Sequence, residues 1–312
     1  MSGELCGIAG VFFKEGGPVI ESLLEMLKNL QHRGADSSGI GFYRQLALEP
    51  EEFLFVLDTL DLPGTAEKVT SSIAEIGGDI RDIRQRLSGG HGLDDYILSL
   101  DRTKFAELKR AISKTGRARV LSFGKRMTIM KEVGTVDALE KRYRGTLGKR
   151  DKELTATHGI GNVRFSTESA VDNCSAHPFQ GGFEDVAVVH NGQITNCYKM
   201  KESLRMKGHA FETDNDTEVI VHYIVQKMME GFSFKEALEQ SVEDLDGPFA
   251  YMISTINAIG MAKDRLGLRP LVVAEGNGAF AAASEEAALM VVFENPVVRN
   301  IAPGGVEVLS YE

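Results

Sequence analysis

Residues 6–13 read Cys6-Gly7-Ile8-Ala9-Gly10-Val11-Phe12-Phe13. The run is short and apolar, which predicts a buried strand, and Gly7 and Gly10 predict a place where another part of the chain approaches closely. Outward from it, Val19, Leu23, Leu24, Met26, Leu27 and Leu30 recur at helical spacing, so residues 19–31 are expected to form an amphipathic helix. Gly34 is the expected stop of that helix. Asp36-Ser37-Ser38-Gly39 reads as a turn, and Ile40 to Tyr43 as the next strand. The same texture returns from Thr155 onward. Ile160–Phe165, Val186–His190 and Phe249–Ile256 read as strands, Thr217–Met229 and Phe234–Leu245 as helices, and Val272–Ala274, Ala279–Ala283 and Val306–Leu309 as short strands between glycine turns.

Between these two stretches the texture changes. Phe53, Phe55 and Leu57 alternate in a strand, and a helix runs from Pro63 to Ile76 before Gly77-Gly78. Ile80–Leu87 and Tyr96–Leu100 read as strands, Thr103–Ser113 as a helix with Phe105, Leu108 and Ile112 on one face, and Val120–Val133 as a strand or hairpin. The order β-α-β-β-α-β is the ferredoxin-like one. The expected organisation is therefore one α+β domain, residues 6–50 with 135–312, interrupted by a ferredoxin-like insert at 51–134.

Composition narrows the function classes. With 45 acidic and 35 basic residues the net charge is -10, which argues against nucleic acid as a partner. The longest uncharged stretch, Gly247–Ala262, is too short and polar to span a bilayer, so no membrane partner is expected. Cys6, Cys174 and Cys197 fit neither a disulfide framework nor a zinc spacing, and the seven histidines are scattered, so no metal site and a reducing, cytoplasmic setting are expected.

Taken alone, Cys6 reads as a small buried hydrophobe. Asn191-Gly192 alone reads as a turn, Arg164 as a surface charge, His177 as a loop residue, and Asp216 as a helix N-cap. Their company changes the reading. Cys6-Gly7-Ile8-Ala9-Gly10 resembles the opening of the class II glutamine amidotransferases, which belong to the N-terminal-nucleophile hydrolases. Gln31-His32-Arg33-Gly34-Ala35-Asp36-Ser37-Ser38-Gly39 resembles their second motif, and Gly159-Ile160-Gly161-Asn162-Val163-Arg164-Phe165-Ser166-Thr167 their third. Ala176-His177-Pro178-Phe179, His190-Asn191-Gly192, Asp214-Asn215-Asp216-Thr217-Glu218 and Lys263-Asp264-Arg265-Leu266-Gly267-Leu268-Arg269-Pro270 follow in the family's order.

The resemblance implies a four-layer αββα fold and a glutaminase. In that family the nucleophile is the first residue of the mature chain, and its own α-amino group serves as general base. Cys6 would attack the side-chain amide of glutamine and form a γ-glutamyl thioester. Asn191 and Gly192 match the oxyanion donors. Arg164 matches the residue that grips the α-carboxylate and Asp216 the one that pairs with the α-ammonium. Thr167 and His177 match residues lining the same pocket, and Arg33 and Asp36 a supporting motif. This chemistry requires removal of the leader Met1–Leu5.

The arrangement also resembles the stand-alone amidotransferase subunits of split glutamate synthase and of N-methylglutamate synthase. That implies ammonia channelled to a separate synthase subunit in a hetero-oligomer. No cofactor is expected on this chain; flavin and iron–sulfur clusters are expected on the partner. The insert is expected to serve first as an interface for that partner, next as a sensor of a small amino acid, and last as structural elaboration. The rival functions are a catalytically silent, glutamine-binding regulatory subunit and an amidase of the same fold.

Overall fold

The structure, a computed structural model, describes residues 6–143, 156–166, 170–181 and 185–310. Strand β1 (Gly7–Gly17) leads into helix α1 (Val19–Asn29) and strand β2 (Ser37–Arg44). The insert follows as β3 (Glu52–Leu60), α2 (Thr65–Glu75), β4 (Asp79–Arg84), β5 (Leu87–Ser88), β6 (His91–Ser99), α3 (Phe105–Lys114) and β7 (Ala118–Gly124). Then come β8 (Met127–Val133), α4 (Val136–Tyr143), β9 (Ala156–Arg164), β10 (Phe179–Gln180) and β11 (Ala187–Gly192). Helices α5 (Cys197–Met206), α6 (Thr217–Met229) and α7 (Phe234–Asp244) precede β12 (Phe249–Ser254) and β13 (Ala258–Lys263). The chain closes with β14 (Val272–Gly276), β15 (Ala279–Ala283), α8 (Glu286–Leu289), β16 (Arg299–Asn300) and β17 (Val306–Ser310).

Two sheets lie face to face. One runs β16-β14-β15-β1-β9-β2-β8 and the other β10-β11-β12-β13-β17. Side chains from both, among them Ile8, Phe12, Ile129, Ile160, Val189, Met252 and Met261, fill the space between. The outer face of the first sheet is covered by α1, α4 and α8, and that of the second by α5, α6 and α7. The layers are thus α, β, β and α, because each sheet has two apolar faces to cover. Helix α1 buries the stripe read from the sequence. Glycines let it lie low on the sheet: a Cβ at Gly161 would sit 2.9 Å from Leu27 Cδ1, and one at Gly7 2.9 Å from Leu30 Cβ.

The insert builds a third sheet, β4-β6-β3-β7, with β5 beside β6. Helices α2 and α3 cover one face through Val69, Ile73, Phe105, Leu108 and Ile112. The other face sends Leu54, Val56, Leu93, Ile97 and Leu121 into the same core that α1 and α4 occupy. Two ionic clusters, the first buried and the second half-buried, stitch the seam. Arg44 Nη1 meets Asp95 Oδ2 at 2.8 Å, with Arg86 Nη1 on the same oxygen at 2.7 Å. Arg142 Nη2 bonds both oxygens of Asp58, at 2.7 and 2.8 Å.

Two expectations give way here. Residues 127–133 lie inside the expected insert, yet β8 pairs with β2 from Ser37–Val133 to Tyr43–Met127 and is an edge strand of the first sheet. Alternation along β8 would suit either sheet; its partner is chosen by contacts distant in sequence. The carboxylate of Asp185 fixes the crossing, accepting from the backbone N–H of Lys125 (2.6 Å), Arg126 (2.9 Å) and Met127 (2.7 Å). Nor is Gly34 the helix stop. Helix α1 ends at Asn29 with Leu30 as its C-cap, a short 3-10 turn follows, and Gly34 is extended (φ -169°). What it provides is clearance, since a Cβ there would lie 2.4 Å from the carbonyl carbon of Arg164. Among the described residues no helix is long and apolar enough to cross a membrane.

Candidate active site

Cys6 stands at the start of β1, the strand between β15 and β9. Gly7 is in register with Val163, so the nucleophile candidate lies beside Arg164 at the end of β9. Its thiol points to the carbonyl of Phe165 at 3.5 Å, and its own carbonyl accepts from Arg33 Nε at 3.0 Å. Arg33 is anchored on its other side by Glu285, Nη1 to Oε1 at 2.5 Å. Ile8 N donates to Ser284 Oγ at 3.0 Å. Both ends of the sequence thus fix the position of Cys6. Burial pushes the Cys6 thiol above its ordinary value; the Phe165 hydrogen bond and the positive charges of Arg164 and Arg33 oppose that, and Asp216 adds to it. A thiol so placed needs a base to give up its proton.

Arg164 is 3% exposed. Its guanidinium donates to Ala170 O at 3.0 Å and to Ser166 Oγ at 3.1 Å, which aims it along the loop after β9. Burial pulls the guanidinium down, while Cys6, Asp36, Asp172 and Asp216 draw it up. Asp36 acts on the same loop: its N–H donates to Arg164 O at 3.0 Å, and its Oδ2 accepts from Ser166 N at 2.8 Å. Thr167 lies outside the described residues.

The second sheet brings the remaining groups. Asn191 lies on the same face of β11 as Ala187 and Val189, which pack against the first sheet. It is fully buried, and among the described residues neither atom of its side-chain amide has a hydrogen-bond partner. Gly192 has φ +132°, and a Cβ there would lie 2.0 Å from Pro248 O, so only glycine fits and its N–H keeps this orientation. Asp216 precedes α6, yet its side chain makes no cap bond. Its Oδ2 accepts from Ile194 N at 2.7 Å and its Oδ1 lies 3.9 Å from His190 Nδ1. The N-cap reading of this residue therefore fails on geometry. His177 and His190 share one hydroxyl, that of Thr217, each at 3.1 Å. Burial lowers the pKa of both imidazoles, so neutral rings face the site near neutral pH.

Four residues of this arrangement receive no role in the sequence reading, although Thr217 and Asn162 lie within the quoted motifs. Thr217 links the two histidines, Glu285 holds Arg33, and Ser284 holds Ile8. Asn162, between Ile8 and Gly39 in the sheet, is buried with neither amide atom bonded among the described residues. A fully buried, unpaired amide is costly for folding, and its presence is the signal that marks such a position. Cys174 is exposed and Cys197 half-buried. Among the described residues no three His, Cys, Asp or Glu side chains are grouped as metal ligands would be.

A family model described as a glutamine amidotransferase domain matches residues 163–291. A Methanothermobacter thermautotrophicus protein that carries the name of a glutamine amidotransferase is 42% identical, over 97% of this chain and 99% of its own length. The glutamine amidotransferase-like protein GlxB of Rhizobium meliloti is 30% identical, over 92% of this chain and 91% of its own. Among solved structures, glutamine phosphoribosylpyrophosphate amidotransferase from B. subtilis superposes with a TM-score of 0.56 at 21% identity, covering 98% of this chain and 49% of that one. At that identity the likeness is one of fold.

Proposed function

Because the chain belongs to the glutamine amidotransferases, we propose that it hydrolyses the side-chain amide of glutamine at Cys6 and passes the ammonia to a synthase subunit on a separate chain. The observation that supports the reading is the meeting of opposite charges at Cys6: Arg33 Nε bonds its carbonyl, and Arg164 and Asp216 act on its thiol with opposite sign. In the proposed cycle, removal of residues 1–5 frees the α-amine of Cys6. That amine takes the thiol proton, and the thiolate adds to the amide carbon of glutamine. Asn191 Nδ2 and the N–H of Gly192 receive the oxyanion. As the tetrahedral species collapses, the protonated amine returns its proton to the departing nitrogen and ammonia leaves. Water, deprotonated by the same amine, then cleaves the γ-glutamyl thioester to glutamate. Arg164 binds the α-carboxylate, Asp216 the α-ammonium, and His177 and Thr167 line the pocket. Arg33 and Asp36 act on backbone, holding Cys6 and the Arg164 loop.

The proposed partner is a synthase of the glutamate synthase or N-methylglutamate synthase type, which would carry the flavin and iron–sulfur groups. The test joins intact mass to turnover. Protein that lacks Met1–Leu5 should release ammonia from glutamine, and Cys6→Ala should lower kcat by at least about 10³-fold while glutamine still binds. Turnover by Cys6→Ala, or by chain that keeps its leader, would remove Cys6 from the role.

A further inference from the structure

A cavity of about 750 Å³ opens between the insert and the body, and Cys6, Arg164, Asn191, Gly192 and Asp216 are not among its lining residues. Helix α3 and strand β7 wall it on the insert side. Strand β8, residues 173–181 and the stretch from Lys207 through α6 wall it on the other. Phe105, Phe123 and Phe179 give it aromatic surface. Its lysines are otherwise committed: Lys109 pairs with Glu212 at 2.6 Å, and Lys207 with Glu230 at 2.6 Å. Arg119 pairs with Asp58 at 3.4 Å.

Lys131 stands apart from these. It is 9% exposed, and among the described residues its ammonium makes no hydrogen bond or ion pair. Its one neighbour of note is the ring of Phe179, whose centroid lies 5.0 Å from Nζ. Burial, with Lys109 and Arg119 nearby, pulls the ammonium down to about 7, and Cys174 and Glu212, neither of them paired with it, oppose that only weakly. The face of a ring compensates only part of the cost of burying a cation. The fold does not ask for a lysine here, because Met127 and Ile129 on the same face of β8 are simply apolar and buried. A buried cation that the architecture leaves uncompensated, at the wall of a cavity, calls for an anion from outside the chain.

We propose that this cavity binds small organic carboxylates with a planar apolar body, the carboxylate pairing with Lys131 Nζ and the body lying against Phe105, Phe123 and Phe179. One uncompensated cation suits one carboxylate, and three rings suit a flat partner. The placement has a mechanical aspect. Asn173 and Cys174 line the cavity, and the same segment carries Ala170, whose carbonyl accepts from Arg164.

Benzoate is the probe, titrated calorimetrically into the full chain without glutamine. We expect saturable binding at one site. Benzamide, which lacks the charge, and inorganic phosphate, which lacks the body, should each bind at least about tenfold more weakly. Lys131→Met should weaken benzoate by about tenfold or more. A second measurement needs no variant: benzoate should slow the reductive methylation of Lys131, read by mass spectrometry, more than that of other lysines. Benzoate binding untouched by Lys131→Met, phosphate tighter than benzoate, labelling of Lys131 unaffected by benzoate, or no saturable binding would each overturn the proposal. None of these readouts depends on glutamine turnover, so the site stands or falls separately from the proposed glutaminase.

Discussion

At the seam between insert and body, Arg44 and Asp95 are 1% and 2% exposed and face each other at 2.8 Å. Around Cys6, Asn191 and Asn162 are buried as deeply, and neither amide has a partner among the described residues. Both regions hold polar groups away from water, but they treat them in opposite ways. At the seam Arg44 and Arg86 both meet Asp95, although Arg44 Nε and Asp95 Oδ1 have no hydrogen-bond partner among the described residues, and the result is architecture. At the site the polarity is left unspent by the protein and remains available to a substrate. Buried polarity by itself therefore says little about function; whether it is satisfied says much. Lys131 sharpens the contrast, because it lies among seam residues and behaves like a site residue.

The largest expected effect breaks the seam. Asp95→Ala leaves Arg44 and Arg86 buried without their carboxylate and should cost about 3–5 kcal/mol in equilibrium denaturation. In protein that remains folded, the KM for glutamine should not change. A loss under about 1 kcal/mol would mean the seam is not held by charge.

Next come Asn191 and Arg164 of the site, where the cost should fall on turnover and spare stability. Asn191→Ala should lower kcat by about 10²–10³ with no loss of stability. Arg164→Ala should instead raise the KM for glutamine about tenfold to a hundredfold, since a charge-assisted contact is worth roughly 1.5–3 kcal/mol. A destabilised Asn191→Ala with normal kcat would place that amide with the architecture.

The smallest effect is a pH slope. Lys131 titrates near 7 in the folded chain, and an unperturbed lysine near about 10.4. Between those values the unfolded chain binds more protons, so this group makes stability rise with pH across the window. Below about pH 7 its penalty is complete. Lys131→Met should therefore be more stable than the parent by about 1–2 kcal/mol at pH 6, a fraction of the full shift because relaxation softens burial, and the gain should shrink toward pH 10. A gain that does not vary with pH would show that Lys131 is not buried as a cation.

Much of the fold was legible because it is written at short range. The stripe of α1, the alternation of β3 and the strand of Cys6 all declare themselves within a dozen residues. The motif order picked out Arg33 and Arg164, which lie beside Cys6. What was not legible depends on distant partners. No local pattern assigns β8 to the sheet of β2, or shows that Gly34 clears the backbone of Arg164. Glu285 carries no motif, and its role exists only because the fold brings it to Arg33. Asn162 sat inside a recognised motif, yet only the absence of a partner singles it out.

The bond from Ile8 N to Ser284 Oγ joins residues 276 positions apart. A ribosome releases a chain from its N-terminus, so the strand that bears Cys6 emerges well before its neighbour β15. At roughly 5–20 residues per second the wait is about 14–55 s. Throughout that interval Cys6 is a cysteine on an unfinished sheet, with no Ser284 or Glu285 to fix its backbone and its arginine. Synthesis order thus acts as a clock: the backbone beside Cys6 cannot take its final place until the chain has grown by the 276 residues that separate Ile8 from Ser284.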